Sequence, residues 1–370
     1  MKHKGLEILT IIIVCILLVS GCLGLEWLIK DKERQILSEK MHAKPITQES
    51  YNGYGLPVGT ELSQVKLLEN DEVVCYEDRA FFRFQYEEDS ADNAKAIVSG
   101  ILERCPMLEQ VYVMPVPPRI LIEDGYPEDC KNYDSYIKQL NEGKSDKCKV
   151  LDVSSNVVAH KDEYVFYRSE NAWTARGAYY GAQVFLESTE REIVPLDEYE
   201  EYVGRNFVGN MSFQTGISKF NIGESPPFLN PLYYYQLKDS LQRVEIILNE
   251  GDVLKSYKKP LFTPSTVNLS AVIDSSFVRA IVAGKSMDGN KTEQYLMVIC
   301  DYSGKWIVPY LKDYYAGIYV INVYKDNYLY QDICDLLVEN NITEVMWVQD
   351  GQELGKKGYS KALTDFVEEE

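Results

Sequence analysis

Apolar positions in this chain fall into short runs separated by polar turns, and the period of the runs changes along its length. Val73-Val74-Cys75-Tyr76 and Ala80-Phe81-Phe82-Arg83-Phe84 have the composition of extended segments. Beyond Ser90, a capping residue type, Ala94, Ile97, Val98, Ile101 and Leu102 recur every three or four positions and predict a helix with one apolar face. Gln110-Val111-Tyr112-Val113-Met114-Pro115-Val116-Pro117 is an unbroken apolar run closed by prolines, as a strand buried on both faces would be. Lys149-Val150-Leu151-Asp152-Val153 predicts another strand, and Thr174 to Glu187 a helix. From about Leu196 to Asn290 the pattern loosens into many short β-like runs rich in Tyr, Pro and Gly, such as Val244-Glu245-Ile246-Ile247-Leu248, which predicts an inserted β-rich segment. The order sharpens again at the end. Tyr295 to Cys300 predicts a strand, and the turn Asp301-Tyr302-Ser303-Gly304 leads into a helix ending near Tyr315. Ile318 to Val323, Asp332 to Glu339 and Glu344 to Val348 then read as strand, helix and strand. That alternation calls for right-handed crossovers and a parallel sheet covered on both faces. No internal repeat is visible.

The 370 residues suffice for one large α/β domain or two smaller ones. With 45% hydrophobic residues, the chain can fill a core and disorder is not expected. The formal charge of −19 argues against nucleic acid as a partner, because a phosphate backbone demands a basic face.

Residues 1–29 carry a separate signal. Lys2, His3 and Lys4 precede an apolar run from Ile8 to Val19, and Leu18-Val19-Ser20-Gly21-Cys22 follows. This is the order of an export signal, with Val19 to Cys22 resembling a bacterial lipobox and Cys22 as the lipidated residue. The run also continues through Leu23, Leu25, Trp27, Leu28 and Ile29, so an uncleaved signal anchor is the alternative. Both tether the chain to the membrane with the main domain extracytoplasmic, since Lys2 and Lys4 favour the cytoplasmic side. Residues 30–59 then read as a stalk and 356–370 as a charged tail. Eight cysteines remain compatible with this placement: Cys130 and Cys148 bracket a short Lys/Asp-rich segment and are a candidate local disulfide, whereas Cys300 and Cys334 sit in apolar patterns as buried thiols. With three histidines and no Cys-x-x-Cys pair, neither a metal site nor a cofactor is expected.

The segment from Tyr167 to Tyr179 reads Tyr-Arg-Ser-Glu-Asn-Ala-Trp-Thr-Ala-Arg-Gly-Ala-Tyr. It resembles the signature of the DHHW family, Tyr-Arg-Thr-Asp-His-His-Trp-Thr-x-x-Gly-Ala-Tyr, with Glu170, Asn171 and Ala172 standing where Asp-His-His is expected. The runs at 111–117, 151–153 and 295–348 occur in the family's order, so the resemblance frames residues 60 to 350. It implies an SGNH-hydrolase-like three-layer αβα fold with a mostly parallel sheet over residues 60–355, interrupted by the β-rich insertion at about 196–290. It also implies a relationship to extracytoplasmic proteins that O-acetylate polysaccharides with the help of membrane-bound acyl donors.

In such enzymes a serine following an aspartate is activated by a histidine that an acid orients, because a hydroxyl is a weak nucleophile until a base takes its proton. The family's acid position is Glu170 here, its base position Ala172, and its serine position Tyr302, directly after Asp301. Ser303 comes one residue late and, with Asp301 and Glu170, makes up the candidate catalytic set. An N-cap serine and a capping aspartate are the structural counterparts of the first two, and a solvated or salt-bridged carboxylate that of Glu170. Trp173, Arg176 and Tyr302 are the candidate substrate contacts. Trp173 and Gly177-Ala178 also fit the packing of a core helix. Apart from His3 and His42, the remaining histidine is His160, at an expected surface turn. Tyrosine clusters such as Tyr233-Tyr234-Tyr235 fit a β core and, less economically, a sugar-stacking groove.

These residues imply a membrane-tethered, SGNH-like protein that has lost its acyl chemistry and serves as a binding or accessory component of polysaccharide O-acetylation. The expected partners are the membrane, a cell-envelope polysaccharide and a membrane-bound O-acyltransferase. The alternatives are an active O-acetyltransferase or esterase built on Ser303 and a surface scaffold for protein contacts.

Overall fold

The computed structural model describes residues 56, 59–204, 206–211, 215, 229–237, 243–250, 253–263, 271–273, 276–284, 294–325 and 330–367. The expected anchor, nearly all of the stalk, and Cys22 lie outside these residues. Among the described residues no helix is long and apolar enough to cross a membrane.

The domain opens with a small antiparallel sheet, β1 (Lys66–Glu69), β2 (Val73–Tyr76) and β3 (Ala80–Phe82). Helix α1 (Ser90–Arg104), strand β4 (Gln110–Val116), helix α2 (Pro127–Asn141), strand β5 (Cys148–Val150) and the short helix α3 (Ser154–Ala159) follow. Helix α4 (Ala175–Ser188) begins where Thr174 accepts a hydrogen bond from the Gly177 amide at 3.3 Å. Between α4 and β12 the chain forms β6 (Tyr199–Val203), β7 (Phe207–Val208), β8 (Leu229–Asn230), β9 (Tyr233–Leu237), β10 (Arg243–Glu250) and β11 (Val253–Pro260). Strands β12 (Arg279–Ala283) and β13 (Tyr295–Cys300), helix α5 (Val308–Leu311), strand β14 (Gly317–Asn322), helix α6 (Tyr330–Glu339) and strand β15 (Glu344–Asp350) complete the fold.

Eight strands join in one mixed sheet of order β11-β10-β12-β14-β13-β15-β4-β5. The five from β14 to β5 run parallel and the three from β11 to β12 are antiparallel. The alternating ending predicts the parallel half well, because strands buried on both faces leave continuous apolar runs. The β-rich insertion does not stand apart: β10, β11 and β12 extend the main sheet by backbone pairing, which no side-chain pattern reports.

Each face of the sheet supports its own core. On one face, Tyr112, Met114, Val298, Val320 and Met346 pack against α4, the turns around α5 and the tyrosine-rich strands. On the other, Val111, Val113, Ile299 and Trp347 pack against α1, α2 and α6. The chain's end also belongs to that second core. Ala362, Leu363 and Phe366 are buried in a 3-10 helix over residues 361–366, so 356–370 is not simply a charged tail. Its three apolar residues outweigh the charges that dominate its composition.

The cysteines pair differently from the sequence expectation. Cys334 is bonded to Cys105 at the end of α1, tying α1 to α6, while Cys75, Cys130, Cys148 and Cys300 are free thiols. Sequence neighbours do not set disulfide partners; proximity in the fold does. The bridge spans 229 residues, so it restricts the unfolded chain strongly. Cys334→Ala together with Cys105→Ala is expected to lower stability by about 2–5 kcal/mol, measured by denaturant unfolding with and without reductant; equal stability of the two forms would show that the bridge contributes nothing.

Candidate functional site

The parallel strands deliver their C-terminal ends to one edge, the position where open α/β sheets place ligands. Here β13 ends in the turn Asp301-Tyr302-Ser303-Gly304 and β15 ends in Asp350, two strands that are direct neighbours. The buried Asp301 carboxylate holds both ends. One oxygen accepts from the amides of Ser303 at 2.9 Å and Gly304 at 2.6 Å, and the other from the Asp350 amide at 2.8 Å. Asp301 thus caps the turn, a task that Ser303 was expected to share. The Ser303 side chain makes no cap and is 3% exposed, its hydroxyl directed at the Asn171 carbonyl at 3.4 Å. Tyr302 projects outward instead and is 43% exposed.

The signature loop faces this turn. It folds back on itself through the Phe166–Trp173 bridge and a bond from the Tyr167 amide to the Ala172 carbonyl. Neighbouring elements pin it. Asn230 accepts from the amides of Arg168 and Ser169, Arg119 donates to the Tyr167 carbonyl, and the Ala80 amide donates to the Arg168 carbonyl. Trp173 is fully buried, and its ring nitrogen donates to the Ser303 carbonyl at 2.8 Å, joining loop and turn directly. The ring fits because α4 carries glycine on two successive turns. A β-carbon at Gly181 would lie 2.6 Å from the indole, and one at Gly177 would lie 2.3 Å from the Val165 carbonyl oxygen.

The structure brings Asn171, Ser303, Asp301 and Asp350 together and sends the remaining candidates elsewhere. Asn171 donates its side-chain amide to the Asp350 carboxylate. Glu170 turns to the inserted segment, where it accepts from the Asn210 amide at 2.8 Å, and burial raises its pKa. It is half-buried and makes no salt bridge among the described residues. Ala172 is buried. Trp173 is too deep to touch a substrate, and Arg176 is consumed by structure, donating to the Tyr235 hydroxyl at 3.1 Å and pairing with Glu163 and Glu201. Tyr302 alone of the expected substrate contacts lies open. His160 lies at the turn after α3, as expected, and is half-buried. It stacks on Tyr180 with ring centres 3.8 Å apart and bonds to Glu163 at 2.7 Å.

Two carboxylates at and just beyond the end of β15, Asp350 and Glu353, complete the site and have no counterpart in the signature. Asp350 is pushed well above the aspartate range by burial and by the charges of Glu353 and Asp301. Glu353 is raised to about 7, first by burial and then by Asp301, against the hydrogen bond from Tyr324 and the charge of Lys356. Tyr324 in turn packs against Tyr302 with ring centres 5.4 Å apart. The two acids stand at and after the end of the last strand in the order Asp350-Gly351-Gln352-Glu353, and polar residues at the C-terminal end of a parallel strand were the signal that could have found them. Among the described residues no group of three or more His, Cys, Asp or Glu is arranged to hold a metal ion.

The DHHW protein family model matches residues 58–321. The chain belongs to the DHHW family. The solved structure of a DHHW family protein from Eubacterium siraeum is 18% identical, with a TM-score of 0.68, covering 84% of this chain and 100% of that one. Bacillus cereus PatB1 is 14% identical with a TM-score of 0.58, covering 78% of this chain and 99% of that one. PatB1 with a sulfonyl adduct gives 13% identity and the same TM-score, over 80% and 99%. No curated protein sequence matches the chain. At these identities the solved structures establish a shared fold, an α/β domain with a mixed sheet.

A carboxyl whose folded pKa lies above its unfolded value is most favourable while protonated in the fold. Its stabilising effect is complete below pH 4.5 for Glu353 and is lost as pH rises toward about 7. Wild-type protein is therefore expected to lose roughly 2 kcal/mol between pH 5 and pH 7.5 through this group, and Glu353→Gln to flatten that slope. Thermal melts across that range test it, and parallel slopes for the two proteins would refute it.

Proposed function

We propose that this DHHW protein is a membrane-tethered, extracytoplasmic component of cell-envelope polysaccharide O-acetylation that binds rather than transfers. A single observation carries the proposal. At the position where the family's serine is expected the chain presents the exposed ring of Tyr302, while the nearby Ser303 hydroxyl faces inward to a backbone carbonyl. A serine so placed lacks the partner it needs, because a carbonyl oxygen cannot take a proton as an imidazole does. Asn171, on the loop that would supply the base, has its amide committed to Asp350. The amides of Ser303 and Gly304 point at the Asp301 carboxylate, which occupies the donors that an oxyanion would require.

The Cys105–Cys334 bond supports export, since structural disulfides persist in oxidising compartments. The tether rests on the Lys2-to-Ile29 pattern and on Cys22. An open Tyr302 ring beside Tyr324 and Glu353 offers a stacking face and hydroxyl acceptors, groups suited to a sugar.

The full chain in detergent, with its Ser303→Ala variant, tests the loss of chemistry. PatB1, solved with a sulfonyl adduct, is the positive control for labelling by a sulfonyl reagent. We expect no labelling and no turnover of an acetyl ester above buffer in either form of this chain. Labelling or turnover that disappears in the variant would establish an active O-acetyltransferase or esterase built on Ser303.

A further inference from the structure

The two faces of the main sheet are not covered equally. Over the parallel half both faces are sealed: Met297 and Ile299, pointing toward α1, α2 and α6, are fully buried. The antiparallel extension continues the same face, because Ile281 of β12 is paired to Tyr319 of β14 and Tyr319 to Met297. There Ile281 and Ile247 are only half-buried. At the N-terminal end of β13, opposite the 301–304 turn, this face opens into a groove with a cavity volume of about 650 Å³.

The groove has a specific chemical make-up. Arg243 and Lys258 stand on that face, both exposed, and register places Lys258 opposite Glu245 and Arg243 opposite Pro260. Lys259, one position along, also lines the groove. Among the described residues, a chain of net charge −19 thus sets two cations, Arg243 and Lys258, and one acid, Glu245, on this face at the groove. The floor is small and flat, made by Ala283 and Gly317, which are paired residues on adjacent strands. Tyr295 lies across it, its ring so close that a β-carbon on Gly317 would stand 3.0 Å from it.

We propose that this groove binds an anionic sugar unit of a polysaccharide. An aromatic ring above a small-residue floor accepts the apolar face of a pyranose. Arg243 supplies a planar fork matched to a carboxylate, and Lys258 supplies further positive charge. Glu245, which already accepts from the Ser256 hydroxyl, can also accept from a sugar hydroxyl. This names a second surface and a ligand class for the glycan-binding protein proposed above, and on the choice of a glycan it rests on that proposal. The two surfaces lie at opposite ends of β13.

The test is calorimetric titration of the full chain in detergent with an oligogalacturonide, with the same oligosaccharide after reduction of its carboxyls, and with polyphosphate. Wild-type protein is expected to bind the first, with affinity falling as salt rises, and neither of the others comparably. Arg243→Glu with Lys258→Glu is expected to weaken binding at least about tenfold, while Arg243→Gln with Lys258→Gln gives a smaller loss. Lys131→Glu on the exposed surface of α2 should leave it unchanged. Melting curves show whether each variant is folded. Equal binding of the neutral sugar, binding of polyphosphate alone, no binding, or a folded double variant that binds as wild type would each overturn the proposal. None of these results depends on whether Ser303 reacts with a labelling reagent, so the two proposals fail separately.

Discussion

The buried carboxylate of Asp301 is the contact on which the rest of the site depends. It takes three backbone amides from two neighbouring strand ends, and charge-assisted bonds of this kind are among the strongest a backbone can form. Burial disfavours its charge, and the three donors oppose that cost. Because the turn is fixed by this carboxylate, the side chains after it have no choice of direction. Tyr302 must face out and Ser303 must face in. The same interaction directs the amides of Ser303 and Gly304 at the Asp301 carboxylate, so the acid that builds the turn also engages the amides that open it.

The signature loop shows how a family's fold persists where its catalytic residues have changed. Trp173, Thr174 and Gly177 carry structural duties that do not involve a reaction: a bond to the Ser303 carbonyl, a helix cap, and a backbone contact too close for any side chain. Removing them would separate the loop from the turn. The positions occupied by Asn171 and Ala172 carry no such burden. Asn171 found a new partner in Asp350, and Ala172 became part of the core. The scaffold contacts and the departures from the signature thus fall on different residues.

The acidic groups around the turn form a second layer of the same arrangement. Burial raises the pKa of Asp301, Asp350 and Glu353; the charge of Asp301 raises the latter two further, and Tyr324 and Asn171 oppose this by donating hydrogen bonds to Glu353 and Asp350. Protonation at mildly acidic pH relieves the repulsion. The structure thus links the pH response of its stability to the C-terminal end of the sheet.

The strands and helices from Gln110 onward were legible because elements buried on one or two faces leave apolar runs of characteristic period, and the turn at Asp301 was legible from its place after such a run. The altered Asp-His-His positions and the late serine were also plain from residue identity. What the sequence could not settle was every partner chosen across the fold. Cys334 pairs with Cys105 rather than remaining a thiol, β10 to β12 extend the main sheet, and Trp173 and Arg176 serve the interior instead of a ligand. Asp350 and Glu353 joined the site only because β15 lies beside β13. Local periodicity is written by which side of an element is buried, so the sequence by itself determined the elements, the family and the departure from the Asp-His-His signature. Contacts between residues far apart in the chain depend on strand order and register, which no local pattern encodes, and those only the tertiary structure decided.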